Sequence, residues 1–390
     1  MDDSSGFNDW PWLTPERARV YAVVAVLAFL GTLAGLLAAL NGGYDQSGLP
    51  FGMDFASFWA ASRLIWAGQG AGVYVRALHQ VAQLPIVPAR EYEAFFYPPP
   101  YLLLCAPLAA LPFFGALAGF MGVTGAAYAA ALRCAARAPF AVLAALAFPP
   151  VLQNLIAGQN AMLTAAILGA GLTLMDRRPR LAGAILGLMV IKPHLALAVP
   201  FALVLSGRWR VLVCAGLSAA ALMAVSTAAF GWEAWRGFAV AANTGRQTLE
   251  AGLVPFSRFQ SAFAIARGFG LGVGPAYWVQ ALSIAGAFAA LVRARRGLVS
   301  AAVERSIIVL AGLLITPFVL DYDHVILAFT LVWLLTAWSE RGFPAWGKPM
   351  LLGQYLLPMA VLFNAPGHVG WLGVVGFLAW LLHGIGWRHE

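Results

Sequence analysis

The stretch that decides the fold is residues 20–40, VYAVVAVLAFLGTLAGLLAAL, in which no side chain is charged. An α-helix rises 1.5 Å per residue, so about 20 consecutive apolar residues cross the hydrocarbon core of a bilayer. We therefore predict that this run is a membrane-spanning helix. The residues before it are acidic and polar, which is not typical of a cleaved signal peptide, and the run is expected to be an uncleaved anchor.

The remainder of the chain has the same apolar character. Of the 390 residues, 61% are hydrophobic and only 10% are charged, whereas a soluble domain has about 25% charged residues. So few charged side chains cannot cover a folded surface against water, and the mean hydropathy of +0.79 agrees with lipid as the solvent. The composition predicts an all-α polytopic membrane protein that uses the whole chain, 1–390, as a single domain.

Basic residues mark one set of corners between the apolar runs. The net charge of +8 would suit a nucleic-acid partner, but the arginines fall in short clusters between apolar segments, so we predict no nucleic-acid binding. By the positive-inside rule these clusters are cytoplasmic. They are Arg17/Arg19, Arg133/Arg137, Arg177/Arg178/Arg180, Arg208/Arg210, Arg293/Arg295/Arg296 and Arg341/Lys348.

Segments without an arginine excess alternate strictly with these clusters and form the outer corners: 41–100, 149–160, 192–194, 231–274, 320–324 and 364–368. The alternation predicts about 12 membrane spans with both chain ends in the cytoplasm. The stretch 101–132, interrupted by Pro107 and Pro112, fits either one kinked span or a re-entrant segment. The spans are predicted at 20–40, 108–132, 138–152, 160–175, 181–192, 194–206, 211–230, 276–293, 303–319, 324–338, 349–363 and 369–386.

Two of the outer segments are too long to be simple connections. In 41–100, residues 55–67 and 76–84 are predicted to form helices that lie in the membrane interface, because the first of them is rich in aromatic and apolar side chains. Residues 231–274 also carry interfacial tryptophans. Long outer segments of this composition are usually functional, so we place the chemistry on this face of the protein.

Asp54 is the first candidate for a catalytic group. It stands among apolar and aromatic neighbours immediately after the first span, and ionisable groups at membrane depth are functional candidates by default. Two compatible interpretations stay open: a catalytic carboxylate, or the N-cap of a helix that starts at Phe55. The other acids of the outer corners are Asp45, Glu91, Glu93, Glu233, Glu250, Asp321 and Asp323.

Lysine is rare in this chain, and Lys192 lies with His194 at an outer corner between two short helices. Lys192 is either a lysine that extends along the helix towards the interface or a ligand for a phosphate anion. The run Asp321-Tyr322-Asp323-His324 places three ionisable groups in four residues, which suits a site or an orienting network. A metal centre would need more ligands at matched spacing.

Uncharged polar groups complete the candidate site. Gln159 and Asn160 offer hydrogen bonds for sugar hydroxyls or for helix capping, and Tyr97 opens a rigid proline-rich entry to the membrane. The chain has no Walker loop, no dinucleotide-binding glycine motif and no nucleophile elbow. A donor substrate must therefore reach the outer face by another route, and we predict one that is linked to a lipid.

These residues, in this order, resemble glycosyltransferase family 87 of the GT-C superfamily, over about residues 50–335. The resemblance rests on Asp54-Phe55 with Phe58-Trp59, Phe96-Tyr97-Pro98-Pro99, Pro107-Leu108, Leu111-Pro112, Gly158-Gln159-Asn160, Arg178-Pro179 with Ala182-Gly183, Ile191-Lys192-Pro193-His194 and Tyr322-Asp323-His324. It implies a GT-C module, which we place at 20–335. The C-terminal transmembrane helices at 349–386 are predicted from the apolar pattern alone, and the resemblance does not extend to them.

The resemblance also implies a reaction. The donor would be a polyprenyl-phosphate sugar, typically mannose, used with inversion at the periplasmic face of the bacterial inner membrane. Asp54 would act as general base, and Lys192, with His194 or Arg258, would bind the donor phosphate. The groups expected to orient the substrate are Tyr97, Gln159, Asn160, Asp323 and His324.

The resemblance also bears on cofactors and acceptors, and two alternative functions remain beside it. The acid at position 54 stands alone rather than in a neighbouring pair, which predicts an enzyme without a metal or another cofactor. The acceptor would be a glycolipid, a polysaccharide or another polyprenyl carrier, and membrane lipids surround the protein. A flippase for a lipid-linked sugar is the alternative, although the grouping of polar residues at one face favours an enzyme. An assembly subunit is a third possibility.

Overall fold

The computed structural model describes residues 14–297, 299–363 and 368–384. In these residues the chain is helical, with no β-strand and only isolated β-bridges. The all-α prediction is confirmed for this part of the chain. The α-helices are α1 (Pro15–Ala38), α2 (Phe55–Trp66), α3 (Arg76–Gln83), α4 (Pro99–Cys105), α5 (Phe113–Ala135), α6 (Pro139–Leu146), α7 (Pro149–Ala157), α8 (Ala161–Leu174), α9 (Pro179–Gly187), α10 (Ala198–Leu205), α11 (Trp209–Ala251), α12 (Ala262–Gly268), α13 (Val273–Arg296), α14 (Ala301–Ile315), α15 (Leu327–Arg341), α16 (Gly347–Leu356) and α17 (His368–His383).

Several of these helices can cross a membrane. Within the described ranges five are long and apolar enough, and α6 with α7, bent by 44°, gives a sixth if the pair is one span. A multi-pass membrane protein is therefore confirmed. The five are Glu16–Ala38, Phe113–Ala135, Trp209–Ala251, Val273–Arg296 and Asp321–Arg341.

Four other predicted spans, 160–175, 181–192, 194–206 and 369–386, coincide with apolar helices that are shorter than a full crossing: Ala161–Leu174, Pro179–Ile191, Pro193–Leu205 and Val369–His383. The predicted span 303–319 corresponds to the 15-residue helix α14, and 349–363 corresponds to α16 with the 3₁₀ helix Leu357–Phe363. The total of 12 spans stays a prediction, because helices of 10–17 residues do not reach across a bilayer by their length alone. The predicted outer corner at 364–368 falls outside the described residues except for its last position, and so do residues 385 and 386 of the last predicted span.

Residues 101–132 do not form one continuous helix, and the re-entrant interpretation of their first part stays a prediction. A short helix with a 3₁₀ end covers Pro99–Ala110, and then Leu111 and Pro112 adopt extended backbone before α5 begins at Phe113. Proline cannot continue a helix because it lacks a backbone N–H. The helix that corresponds to the predicted span 108–132 therefore begins five residues later than predicted, at Phe113.

The outer segment 231–274 begins at a break in α11. Gly231 has non-helical backbone (φ 75°, ψ 172°), so the first part of α11 ends at the predicted limit of the span 211–230, and a second helical part follows directly and continues to Ala251. Beyond the kink, Gly237 lies against the Tyr74 side chain and Gly245 lies against the Phe96 ring. This second half of α11 therefore covers the loops that lead to α4.

Helix α2 is a core helix rather than an interfacial one. Nine of its 12 residues are buried by protein, so the prediction that residues 55–67 lie in the interface is wrong. The Phe58 ring contacts those of Phe95, Tyr97 and Tyr101 at centroid distances of 5.0–6.4 Å. This packing of α2 fixes the residue that precedes it, Asp54.

The connection between α7 and α8 depends on Gly158. Its φ of +73° is left-handed, and a Cβ there would lie 2.7 Å from the Phe55 Cβ and 2.9 Å from the Gly52 Cα. Glycine is the only residue that meets both requirements without strain. Gly158 thereby holds the start of α2 against the turn that carries Gln159 and Asn160.

Substituting Gly158 tests this arrangement. Gly158→Ala should lower the midpoint of thermal unfolding in detergent clearly more than Gly207→Ala does. Gly207 has a similar φ of +67° but open space around its Cα, so its variant carries only the backbone penalty, about 1–2 kcal/mol. Equal effects of the two substitutions would contradict a close contact at Gly158.

Candidate active site

Asp54 stands at the start of α2, but its carboxylate does not cap that helix. Its backbone N–H donates to the Ala157 carbonyl at 3.0 Å, which ties the residue to the end of α7. The carboxylate points elsewhere: Oδ2 accepts a hydrogen bond from Gln159 Nε2 at 3.1 Å. The N-cap interpretation is therefore wrong, and the half-buried carboxylate is available for chemistry.

Gln159 is held in one orientation by two donors. Its Oε1 accepts from the Tyr97 hydroxyl at 2.9 Å and from the Asn160 backbone N–H at 3.2 Å. Because both donors occupy the amide oxygen, the amide nitrogen must face Asp54. The residues predicted at Tyr97, Gln159 and Asn160 thus lie together beside the carboxylate.

Lys192 forms a buried ion pair with Asp323. The Nζ–Oδ1 distance is 2.6 Å, and the side chains are 5% and 0% exposed. The ammonium also donates to Asn160 Oδ1 at 3.4 Å and lies over the ring of Tyr322, 5.1 Å from its centroid. Lys192 therefore does not extend to the interface. It joins Asp323 to the polar groups around Asp54.

The two histidines are placed differently from the rest of the predicted set. His324 is buried, and both it and the Gln260 amide lie against the backbone of Gly370 in α17. His194 lies beside Phe318, at 6.5 Å between ring centroids. In the described part of the chain the Nε2 atoms of both histidines and both amide atoms of Gln260 are buried without a hydrogen-bond partner. Such atoms are available to a bound polar group.

Arg258 belongs to the same site. It lies in the short 3₁₀ helix Phe256–Arg258, and its guanidinium interacts electrostatically with Asp321, Asp54 and Glu93. Among the described residues none forms an ion pair within 4.0 Å of it. A half-buried arginine that faces acids without contacting them leaves its donors open to an anion.

Glu93 is a site residue that the sequence reasoning missed. Its backbone is fixed by the Gln83 side chain, which accepts from Glu93 N at 3.0 Å and donates to Glu93 O at 2.6 Å. Burial, followed by the negative charge of Asp54, raises the pKa of Glu93 well above its usual value. The acid at position 54 is therefore not alone. The sequence did offer one indication that Glu93 belongs to the site: it precedes Tyr97 by only four residues, in the same segment before α4.

Electrostatics set the protonation of Asp54. Burial raises the pKa of the Asp54 carboxyl, while the charge of Arg258, the Gln159 hydrogen bond and the charge of Lys192 oppose that shift. A carboxylate with a raised pKa is a better proton acceptor near neutral pH than an ordinary aspartate. Within the described residues, no three side chains of His, Cys, Asp or Glu are grouped so as to hold a metal ion.

Breaking the buried ion pair should destabilise the protein more than removing both of its charges. Lys192→Met or Asp323→Asn leaves one buried partner uncompensated, at a cost of about 3–5 kcal/mol, whereas the double variant leaves none. We expect the double variant to unfold in detergent at a higher temperature than either single variant. Single variants that unfold like the wild type would show that the pair does not form.

Most residues of this site lie within a region that matches a known protein family. A family model described as glycosyltransferase family 87 matches residues 95–320, a range that includes Tyr97, Gln159, Lys192 and Arg258. Asp54 lies before the match and Asp323 just after it. No curated protein and no solved structure was found to match the chain. Because the family model matches more than half of the 390 residues, the chain belongs to glycosyltransferase family 87.

Proposed function

We propose that this protein transfers a sugar, with mannose as the first candidate, from a polyprenyl-phosphate donor to a hydroxyl of a periplasmic or lipid-linked acceptor. Membership of the family supports glycosyl transfer in general. The observation that carries the finer proposal is the half-buried Asp54 carboxylate, held by Gln159 and facing Arg258. A proton acceptor beside a cation that has no ion pair in the described part of the chain supports transfer from a phosphate-linked donor.

In the proposed reaction Asp54 is the general base. It accepts the proton of the acceptor hydroxyl while that oxygen attacks the anomeric carbon from the side opposite the phosphate. The bond from that carbon to the phosphate oxygen breaks, and the configuration inverts. Gln159 fixes the carboxylate in place, and burial and the charge of Asp54 both raise the pKa of Glu93 beside it. General-base catalysis of this kind contributes about 10²–10⁴-fold.

We assign the departing phosphate to Arg258 in the first place. The charge of Lys192 is largely compensated by Asp323 at 2.6 Å, whereas Arg258 has no ion pair in the described part of the chain. Lys192 then acts mainly by holding Asn160 and Asp323, and it adds a weaker attraction for the anion. The unpartnered Nε2 atoms of His194 and His324 are assigned to the phosphate and to the sugar respectively.

The proposed setting is a GT-C fold of about 12 spans in the bacterial inner membrane, with the site facing the periplasm. Two features support this orientation. The site residues lie in segments poor in arginine, and ion-paired arginines gather at the opposite ends of α8 and α14. We further propose that the reaction needs no metal. Incubation with a panel of polyprenyl-phosphate sugars, with and without EDTA, tests the donor and the metal requirement together, and translocation without transfer would favour a flippase.

Asp54→Asn should lower the transfer rate at least about 10²-fold while the protein stays folded, because the amide cannot accept the acceptor proton. Asp45→Asn is the matched control. Asp45 lies in the same outer segment, but its Oδ1 accepts backbone N–H bonds from Ser47 and Leu49 within its own turn. Turnover like that of the wild type in Asp54→Asn would exclude Asp54 as the base.

Arg258→Gln should both weaken the donor and shift the pH profile. Its positive charge lowers the pKa of Asp54, so without it the base form is lost at a higher pH as the solution is acidified. We expect the acidic limb of kcat/KM to move to higher pH and the donor KM to rise. Arg246→Gln is the control, since Arg246 pairs with Glu250 away from the site. An unchanged acidic limb would show that Arg258 does not act on Asp54.

A further inference from the structure

A cavity of about 440 Å³ opens at the end of the helices opposite Asp54. It lies between the last turns of α5, α8 and α15 and the first turn of α14. Helix α8 separates it from the candidate active site: Asn160 precedes that helix and Thr173 is in its last turn, which gives a distance of roughly 20 Å. This cavity is therefore separate from the site that holds Asp54.

The cavity is lined by arginines. Among the described residues that line it there are Arg137, Arg177, Arg305 and Arg341, with Glu340 as the single acid. Arg137 is paired with Glu340, and Arg305 with Asp176 outside the cavity lining. Such a surplus of positive charge favours an anionic ligand.

Several of these donors have no partner within the protein. Arg177 and Arg341 form no ion pair with any described residue, and Arg305 Nε is buried without a hydrogen-bond partner there. A buried guanidinium N–H without an acceptor is unfavourable. Phosphate oxygens match the planar fork of arginine and would satisfy these donors.

A second, more apolar groove adjoins this cavity. It has a volume of about 460 Å³, shares Ala136 and Arg137 with the cavity, includes Arg133, and is bordered by Val142, Leu143 and Leu146 of α6. Leu143 is 42% exposed there. A positively charged cavity beside an apolar groove suits an amphiphile, which has a charged headgroup and an apolar chain. Free phosphate would occupy the cavity and leave the groove empty.

We propose that this face binds an anionic phospholipid, with its phosphate headgroup among Arg177, Arg305 and Arg341 and an acyl chain along α6. Basic pockets between transmembrane helices on the arginine-rich side of a protein are suited to anionic headgroups. The proposal does not depend on the transferase reaction. The polyprenyl-phosphate donor would occupy the other end of the molecule.

The test compares two double variants of the full-length purified protein. Arg177→Gln/Arg341→Gln removes the two unpaired cavity arginines, while Arg180→Gln/Arg210→Gln removes equal charge from the same face outside the cavity. Retained lipid is measured by native mass spectrometry after incubation with equal amounts of phosphatidylglycerol and phosphatidylcholine. Transferase activity and far-UV circular dichroism verify that each variant is folded.

We expect the wild type and the control to retain phosphatidylglycerol preferentially, and the cavity variant to lose that preference at least about tenfold. Phosphatidylglycerol should also raise the unfolding temperature of the wild type, whereas glycerol phosphate and inorganic phosphate at the same concentration should not. Leu143→Gln should weaken retention by disturbing the groove alone. Equal retention by both double variants would contradict a binding site at the cavity arginines. Equal stabilisation by inorganic phosphate would contradict a phospholipid as the ligand.

Discussion

The ion pair between Lys192 and Asp323 is the interaction on which the candidate site depends. An ammonium and a carboxylate that are almost fully buried can remain charged only as partners, because either charge alone would be costly in an apolar interior. The pair links the turn after the 3₁₀ helix Leu188–Ile191 to the segment before α15. Through Asn160 it also connects to the turn between α7 and α8, and so to the residue that holds Asp54.

The two cations of the site, Lys192 and Arg258, have different roles. Lys192 is paired within the structure, whereas Arg258 forms no ion pair with any of the residues that the structure describes and acts on the nearby acids through its charge. In this part of the chain the site therefore combines a paired charge that maintains geometry with an unpaired one that can meet an anion. The acids also differ in role: Asp323 pairs with Lys192, burial raises the pKa of Glu93, and Asp54 is partly exposed and so accessible to a substrate proton.

Sequence reasoning anticipated the helical class, the positions of most helices and the group formed by Tyr97, Gln159, Asn160, Lys192 and Asp323. The apolar pattern also predicted that the helices flanking Lys192 are short, and the structure has Pro179–Ile191 and Pro193–Leu205 there. The same pattern does not distinguish contact with lipid from contact with protein, so the burial of α2 was not foreseen. The direction of the Asp54 side chain could not be predicted either. An aspartate at the start of a helix is usually expected to cap it. The Asp54 carboxylate instead accepts a hydrogen bond from Gln159, which lies 105 residues later in the chain.

The same limit explains Glu93 and the buried state of Lys192, since each depends on a partner that is remote in the chain. Lys192 and Asp323 are separated by 131 residues. At a synthesis rate of about 5–20 residues per second, the lysine waits roughly 7–26 s for its counter-ion. During that time the ammonium must stay hydrated or at the interface. Membrane insertion of the helices around Lys192 is therefore complete only after the helix that begins near Asp321 has arrived, and a chain that stops before it would carry an exposed, uncompensated charge that quality-control proteases can recognise.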